Sequence, residues 1–260
     1  MTASSELTTL NLSGEVACLT LNRPAKRNAL SDALVLEIEQ QFIQLPAGVK
    51  AVVINGAGDH FCAGLDLSEI RDRDVIEGMQ HSRLWHRVFE RIQYSHAPVI
   101  AAIQGACVGG GLELAAACHI RVADSSAFFA LPEGSRGIYV GGGGSVRIQK
   151  LIGMARMADM MLCGRVYNAT EADRYNFVQY SVDAGEALTK ATSIAQRIAQ
   201  NAPMTNYAIT NALNHIGEMA PQQGLFTESL ISSIVQSAPE AKARLQAFLE
   251  GRADKVKPHD

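Results

Sequence analysis

The chain has 260 residues, 47% hydrophobic and 19% charged, with a formal net charge of -3. This is ordinary globular composition, with length enough for one large domain and a small appendage. The weak negative charge comes without a basic stripe, which argues against a nucleic-acid partner, and no apolar run approaches the ~18 residues of a membrane span.

The opening residues, Met1-Thr2-Ala3-Ser4-Ser5-Glu6, lack both the basic-then-apolar order of a secretory signal and an arginine-rich amphipathic character, so a cytoplasmic location is expected. Val16-Ala17-Cys18-Leu19-Thr20-Leu21 reads as a strand ended by Asn22-Arg23-Pro24, and Ser31 can cap a helix carrying Leu34, Ile38 and Phe42 on one face. Continuous apolar runs at Ala51-Val52-Val53-Ile54 and Val99-Ile100-Ala101-Ala102-Ile103, with Ile120-Arg121-Val122 and Phe128-Phe129-Ala130, supply further strands. Between Asp66 and Tyr94 a charged helix with Leu84, Val88 and Ile92 on one face is expected around the only tryptophan, Trp85. Strands alternating with helices argue an α/β fold.

Thr170, with Asp173 three residues on, is the expected N-cap of a short helix ending near Asn176, which tolerates the left-handed conformation. Beyond Asn201-Ala202-Pro203 the text is helical only, with helices expected over 208–216, 225–235 and 241–249. The chain therefore divides into a core of 1–200 and a helical module of 201–260. Cys18, Cys62, Cys107, Cys118 and Cys163 are scattered through apolar segments with no Cys-x-x-Cys, so reduced thiols are expected, with neither disulfides nor a metal site.

Gly109-Gly110-Gly111 follows a strand and leads into Leu112-Glu113-Leu114-Ala115-Ala116-Ala117, a segment of high helix propensity. The glycine amides then sit at the positive end of a helix, where they can stabilise a developing oxyanion or simply form a close-packed turn. Glu113 lies in the helix's first turn, and a second acid, Glu133, stands in the apolar run Ala130-Leu131-Pro132-Glu133-Gly134. Apolar flanks of this kind raise carboxyl pKa values, which suits groups that both give and accept protons. A second tract, Gly141-Gly142-Gly143-Gly144-Ser145, precedes another helix but lacks the Gly-Lys-Ser/Thr ending of a P-loop and the full dinucleotide pattern.

With Phe61-Cys62-Ala63-Gly64-Leu65-Asp66-Leu67 added, four motifs occur in order over nearly the whole chain. They are Asn22-Arg23-Pro24 with Asn28-Ala29-Leu30, the segment 61–67, Pro98 to Leu114, and Leu131-Pro132-Glu133. In this order they resemble the crotonase (enoyl-CoA hydratase/isomerase) superfamily, and most of all an enoyl-CoA hydratase.

The resemblance implies a crotonase (ClpP-like) spiral of β-β-α repeats whose C-terminal helices make a homotrimer or a dimer of trimers. It implies an oxyanion hole from the amides of Leu65 and Gly110, with Glu113 orienting and activating a water and Glu133 exchanging a proton with the substrate α-carbon. Gly141 stands where the family's dienoyl-CoA isomerases carry aspartate, so its amide and missing side chain would leave room for that water. Val140 replaces the proline usual before this tract, a change expected only to relax a turn.

Lys26, Arg27, Ala63, Gly64 and Asp66 are implied to touch the CoA portion of an acyl-CoA substrate, which carries its own coenzyme, so no separate cofactor is expected. His81, Trp85 and His86 fall where relatives shape the acyl pocket, although packing of Trp85 into the core is the expected role. His119 stands where relatives commonly have aspartate and is expected to be structural. The expected reaction is hydration of a trans-2-enoyl-CoA. The alternatives are a Δ3-Δ2 enoyl-CoA isomerase or thioester hydrolase on the same residues, or a non-catalytic binding scaffold.

Overall fold

The computed structural model describes residues 7–69 and 72–252. The segment 1–6, read above for a targeting signal, and residues 253–260 of the C-terminal module lie outside the described residues.

The chain opens with a hairpin, β1 (Thr8–Ser13) and β2 (Val16–Leu21), followed by α1 (Asp32–Ile43), β3 (Ala51–Gly56) and α2 (Val75–Gln93). Two β-β-α turns come next: β4 (Val99–Ile103), β5 (Ala106–Val108) and α3 (Gly110–Ala117), then β6 (Ile120–Asp124), β7 (Phe128–Ala130), α4 (Gly144–Ile152) and α5 (Met154–Cys163). A third, shorter turn has β8 (Tyr167–Asn168), α6 (Ala169–Arg174), β9 (Tyr180–Val182) and α7 (Ala187–Ala199). The remaining helices are α8 (Pro203–Ile216), α9 (Pro221–Ser237) and α10 (Pro239–Leu249).

In each of the first two turns the leading strand joins a six-stranded sheet of order β1-β2-β3-β4-β6-β9, and the second strand joins a small sheet of order β5-β7-β8. All neighbours from β2 to β9 in the large sheet are parallel. Both faces of that sheet are covered, which is why β3 and β4 are buried along their whole length and read as unbroken apolar runs.

One face packs on α1, α2 and α3 through Leu34, Ile38, Phe89, Ile92 and Leu112. The other is covered by α7, whose Ala187, Ala191, Ala195 and Ala199 pack on Val53, Ile100, Ala102 and Val122. Four-residue spacing places those alanines on one helix face, and their small side chains let the helix lie close to the sheet.

Helix α1 starts as expected, with Ser31 Oγ accepting from the Leu34 amide at 3.1 Å. In α2 the residues Trp85, Val88, Phe89 and Ile92 are buried and Leu84 is partly buried against the same core. Helix α6 differs from the expected boundary. Its N-cap is Asn168, not Thr170, because Asn168 leaves β8 in an extended conformation and its side chain accepts from the Glu171 amide at 2.9 Å, completing a capping box. Asn176 does adopt the left-handed conformation, with φ 64°.

Helices α8, α9 and α10 each begin with proline, two to five residues before the expected starts, since proline's fixed φ and missing donor are suited to a helix's first position. They expose a run of large apolar side chains, including Leu213, Leu225, Phe226, Leu230, Leu245 and Phe248.

Candidate active site

The functional candidates meet where β5 runs into α3. Gly109 has φ 52°, and its amide donates to Ala130 O at 2.9 Å, tying the glycine turn to the end of β7. Gly110 opens the helix, so its amide is one of the donors that a helix cannot satisfy internally. Gly64 (φ 91°) lies across from it: a Cβ there would stand 2.7 Å from Val108 O and 3.4 Å from Gly110 N, so only glycine permits this approach.

Leu65 bridges Leu30 in parallel fashion, with Leu30 N donating to Gly64 O at 2.7 Å and Asp66 N donating to Leu30 O at 2.9 Å. In that pattern the Leu65 amide points away from Leu30. Among the described residues neither the Leu65 nor the Gly110 amide is given to another group.

Glu113 is buried in the first turn of α3. Its Oε1 accepts from Gly142 N at 2.8 Å and Gly144 N at 2.7 Å. Burial pushes its pKa up to about 7 and the charge of Glu133 acts in the same direction, while the amides of Gly144, Gly142 and Gly141 pull it back.

Glu133 is also buried, and burial raises its pKa against the opposing charge of Arg136. It faces the glycine turn, since a Cβ on Gly109 would lie 3.0 Å from Glu133 Oε1. Its Oε2 is buried without a hydrogen-bond partner among the described residues. An ionised oxygen in that position is penalised by lost hydration, in the same direction as the raised pKa. The two carboxyls thus lie near one helix start in unlike environments, one held by two amides and the other with an unpartnered oxygen among the described residues.

The remaining candidates come together on two interlaced loops beside the free amides of Leu65 and Gly110. The amide of Ala63 donates to Arg27 O at 2.9 Å, which aligns the segment holding Ala63, Gly64 and Leu65 with the exposed Lys26 and Arg27. Asp66 is turned inward: its carboxylate accepts from Ser68 Oγ at 2.7 Å and Arg23 Nη2 at 2.6 Å. These contacts hold its pKa down to about 2. Asp66 therefore braces the loop that carries Leu65, a role its side chain fulfils from beneath the surface.

Comparison with known proteins places this geometry in a family. The model for enoyl-CoA hydratase/isomerase matches residues 11–258. The chain belongs to the enoyl-CoA hydratase/isomerase family. A short-chain-enoyl-CoA hydratase of Clostridium acetobutylicum is 35% identical over 94% of each chain, and a 2,3-dehydroadipyl-CoA hydratase of Escherichia coli is 32% identical over 93% of this chain and 95% of its own. Among solved structures, a candidate enoyl-CoA hydratase from Rhodopseudomonas palustris superposes with a TM-score of 0.92 at 56% identity over 95% of each chain. The enoyl-CoA hydratase from Bacillus anthracis superposes with a TM-score of 0.89 at 32% identity over 97% of this chain and 99% of that one.

In this hydratase/isomerase-family chain, α2 supports both glycine tracts, a role the sequence reading did not assign. Ser82 Oγ donates to Gly141 O at 2.6 Å. A Cβ on Gly110 would meet the Trp85 ring at 2.7 Å, and one on Gly142 would meet Phe89 at 2.8 Å. Residues 82, 85 and 89 share one helix face, so the helical period holds the signal. Trp85 is buried as expected, packed directly against Gly110. Gly142 and Gly144 were also missed as individuals: within a four-glycine tract, sequence alone does not show which amides donate to Glu113 Oε1, nor that a Cβ on Gly141 would meet only Ser82 Oγ, at 3.7 Å. Val140, in place of the usual proline, is buried in the main core.

Proposed function

We infer that this chain is an enoyl-CoA hydratase that adds water across the α,β double bond of a trans-2-enoyl-CoA thioester. The observation that carries this reading is the unlike pair of buried carboxyls beside free amides: Glu113, whose Oε1 accepts from two glycine amides, and Glu133, whose Oε2 has no hydrogen-bond partner among the described residues. The thioester carbonyl would accept from Leu65 N and Gly110 N, and removal of one such donor raises a barrier by about 2.7–4 kcal/mol.

Glu113 Oε1 is taken by two amides, so Oε2 is assigned to the water. Water's hydroxyl bonds to the β-carbon while its proton passes to Glu113, the α,β π pair moves toward the thioester, and Glu133 gives its proton to the α-carbon. The proton on Glu113 then returns to Glu133 through solvent, restoring both groups. Gly141 leaves the space for the water, and Lys26, Arg27, Ala63 and Gly64 face the CoA portion.

The five cysteines are free thiols, which suits a reducing cytoplasmic setting. No helix among the described residues is long and apolar enough to cross a membrane. We assign the exposed apolar side chains of α8 to α10 to contacts with further copies of this chain in a trimer or dimer of trimers, with 201–260 as the oligomerisation module. Light scattering of the purified protein tests that assignment, and a monomer would reject it.

The activity is tested with a panel of enoyl-CoA thioesters differing in chain length, branching and aromaticity, followed for both hydration and double-bond shift. Hydration of at least one substrate is expected; a double-bond shift without hydration would assign isomerase chemistry to Glu133 instead.

A further inference from the structure

We propose that Arg147 is a positioning residue for Glu113, holding the glycine loop in the conformation whose amides carry that carboxylate. The inference rests on the reading of Glu113 as the group that activates water.

Arg147 lies in the first turn of α4. Its Nη1 donates to Gly142 O at 3.1 Å and its Nε donates to Gln93 Oε1 at 2.6 Å. Gly142 is thus gripped on both sides: its carbonyl accepts from Arg147, and its amide donates to Glu113 Oε1 at 2.8 Å. Gly143, between the two amide donors to Glu113, has φ 95°, and a Cβ there would overlap Arg147 Nη1, so the guanidinium packs directly on the loop.

The grip is itself anchored. Gln93 ends α2, and its backbone carbonyl accepts from His119 Nε2 at 3.0 Å, while His119 Nδ1 accepts from Val99 N at 2.9 Å. Because Nδ1 accepts a backbone N–H, the ring proton must sit on Nε2, and burial keeps the ring neutral by lowering its pKa to about 4. One series of hydrogen bonds therefore runs from the start of β4 through His119, Gln93, Arg147 and Gly142 to the catalytic carboxylate.

The charged and titratable groups facing the guanidinium are Glu90 and Tyr94 on α2 and Glu113 on α3, and His86 borders Gly143. A cation so placed favours the ionised form of Glu113. Lysine cannot replace it fully, since a single ammonium on a flexible stem does not reproduce the fork that reaches Gln93 and Gly142 together. The same residue borders a cavity of ≈ 750 Å³ between α8 and the core, so a shorter side chain is accommodated there without overpacking.

The test compares Arg147→Met and Arg147→Lys with the wild-type protein in steady-state hydration across pH, alongside thermal unfolding and with Glu113→Gln in the same assay. Arg147→Met is expected to lower kcat about tenfold or more with KM changed by less than about twofold, as a displaced catalytic group does. The acid limb of kcat/KM should move up by about one pH unit, because both the cation and the ordered amides that favour the Glu113 carboxylate are weakened. Arg147→Lys should restore the limb most of the way while kcat stays below wild type.

An unchanged kcat and acid limb in either folded variant overturns the proposal, as does a limb that moves to lower pH. If Arg147→Met does not fold, Arg147→Lys decides through its kcat. Wild-type turnover in Glu113→Gln would instead reject the reading of Glu113 itself, so the two failures are distinguishable.

Discussion

The amide of Gly142 lies 2.8 Å from Oε1 of Glu113, twenty-nine positions earlier in the chain, and so partly offsets the burial that makes this carboxylate hard to ionise. Gly144 adds a second amide at 2.7 Å to the same oxygen. Burial and amide donation pull in opposite directions, and the balance leaves Glu113 with a pKa of about 7, where it can take a proton from water and release it again at neutral pH.

The first prediction is a pH profile. Water activation needs Glu113 ionised, so kcat/KM should rise with pH through about 7 and fall away below it. Gly144→Ala would place a methyl 2.9 Å from Glu113 Oε1 and disturb one amide, so its acid limb should lie at higher pH than wild type. An acid limb near the ordinary glutamate value of about 4.3 in the wild-type protein would contradict this account.

The oxyanion hole gives a second. Gly110→Ala drives a methyl to within 2.7 Å of the Trp85 ring, so the helix start must shift and carry its amide with it. The expected loss is about 10²–10³-fold in kcat, the effect of removing one such donor. Turnover within twofold of wild type in the folded variant would show that Gly110 N does not hold the thioester oxygen.

Gly141 and Gly142 should respond differently to alanine. A Cβ at Gly141 meets only Ser82 Oγ at 3.7 Å, so Gly141→Ala is expected to keep wild-type thermal stability while slowing hydration by occupying the water's space. A Cβ at Gly142 meets Phe89 at 2.8 Å and Glu113 Oε2 at 3.1 Å, so Gly142→Ala should destabilise the fold by about 1–3 kcal/mol. Denaturant unfolding paired with turnover separates the two, and equal stability losses would remove the distinction.

His119 predicts an acid sensitivity of the fold. Its folded pKa is about 4, below the unfolded value of 6.5, so the neutral ring contributes stability that is fully present above pH 6.5 and is lost as pH falls toward 4. A depression of this size corresponds to on the order of 3 kcal/mol. His119→Gln, which does not titrate, should show a flatter dependence of unfolding free energy on pH between 6.5 and 4, measured by urea unfolding. An identical slope in both proteins would rule the histidine out as its source.

What the sequence disclosed followed its strongest patterns. The apolar runs of β3 and β4 are unambiguous because both sheet faces are covered, and the ordered motifs around Leu65, Gly110, Glu113 and Glu133 announced the family before any contact was known. Weaker signals failed for physical reasons. The alanines of α7 form a core face without large side chains, so they were not recognised as one. Asn168 and Thr170 are both good caps, and the choice between them was set by where β8 ends. Arg147, Gln93 and His119 are far apart in sequence, and only the fold brings them into one series of hydrogen bonds leading to Glu113.

The central claim is that two carboxyls in unlike environments add one water to an enoyl thioester, and it is tested most directly by the turnover of Glu113→Gln and Glu133→Gln on the best trans-2-enoyl-CoA of the panel. With the fold verified by circular dichroism, each variant should lose about 10²-fold or more in kcat, the usual contribution of a positioned acid or base. Wild-type turnover in both folded variants would contradict the account.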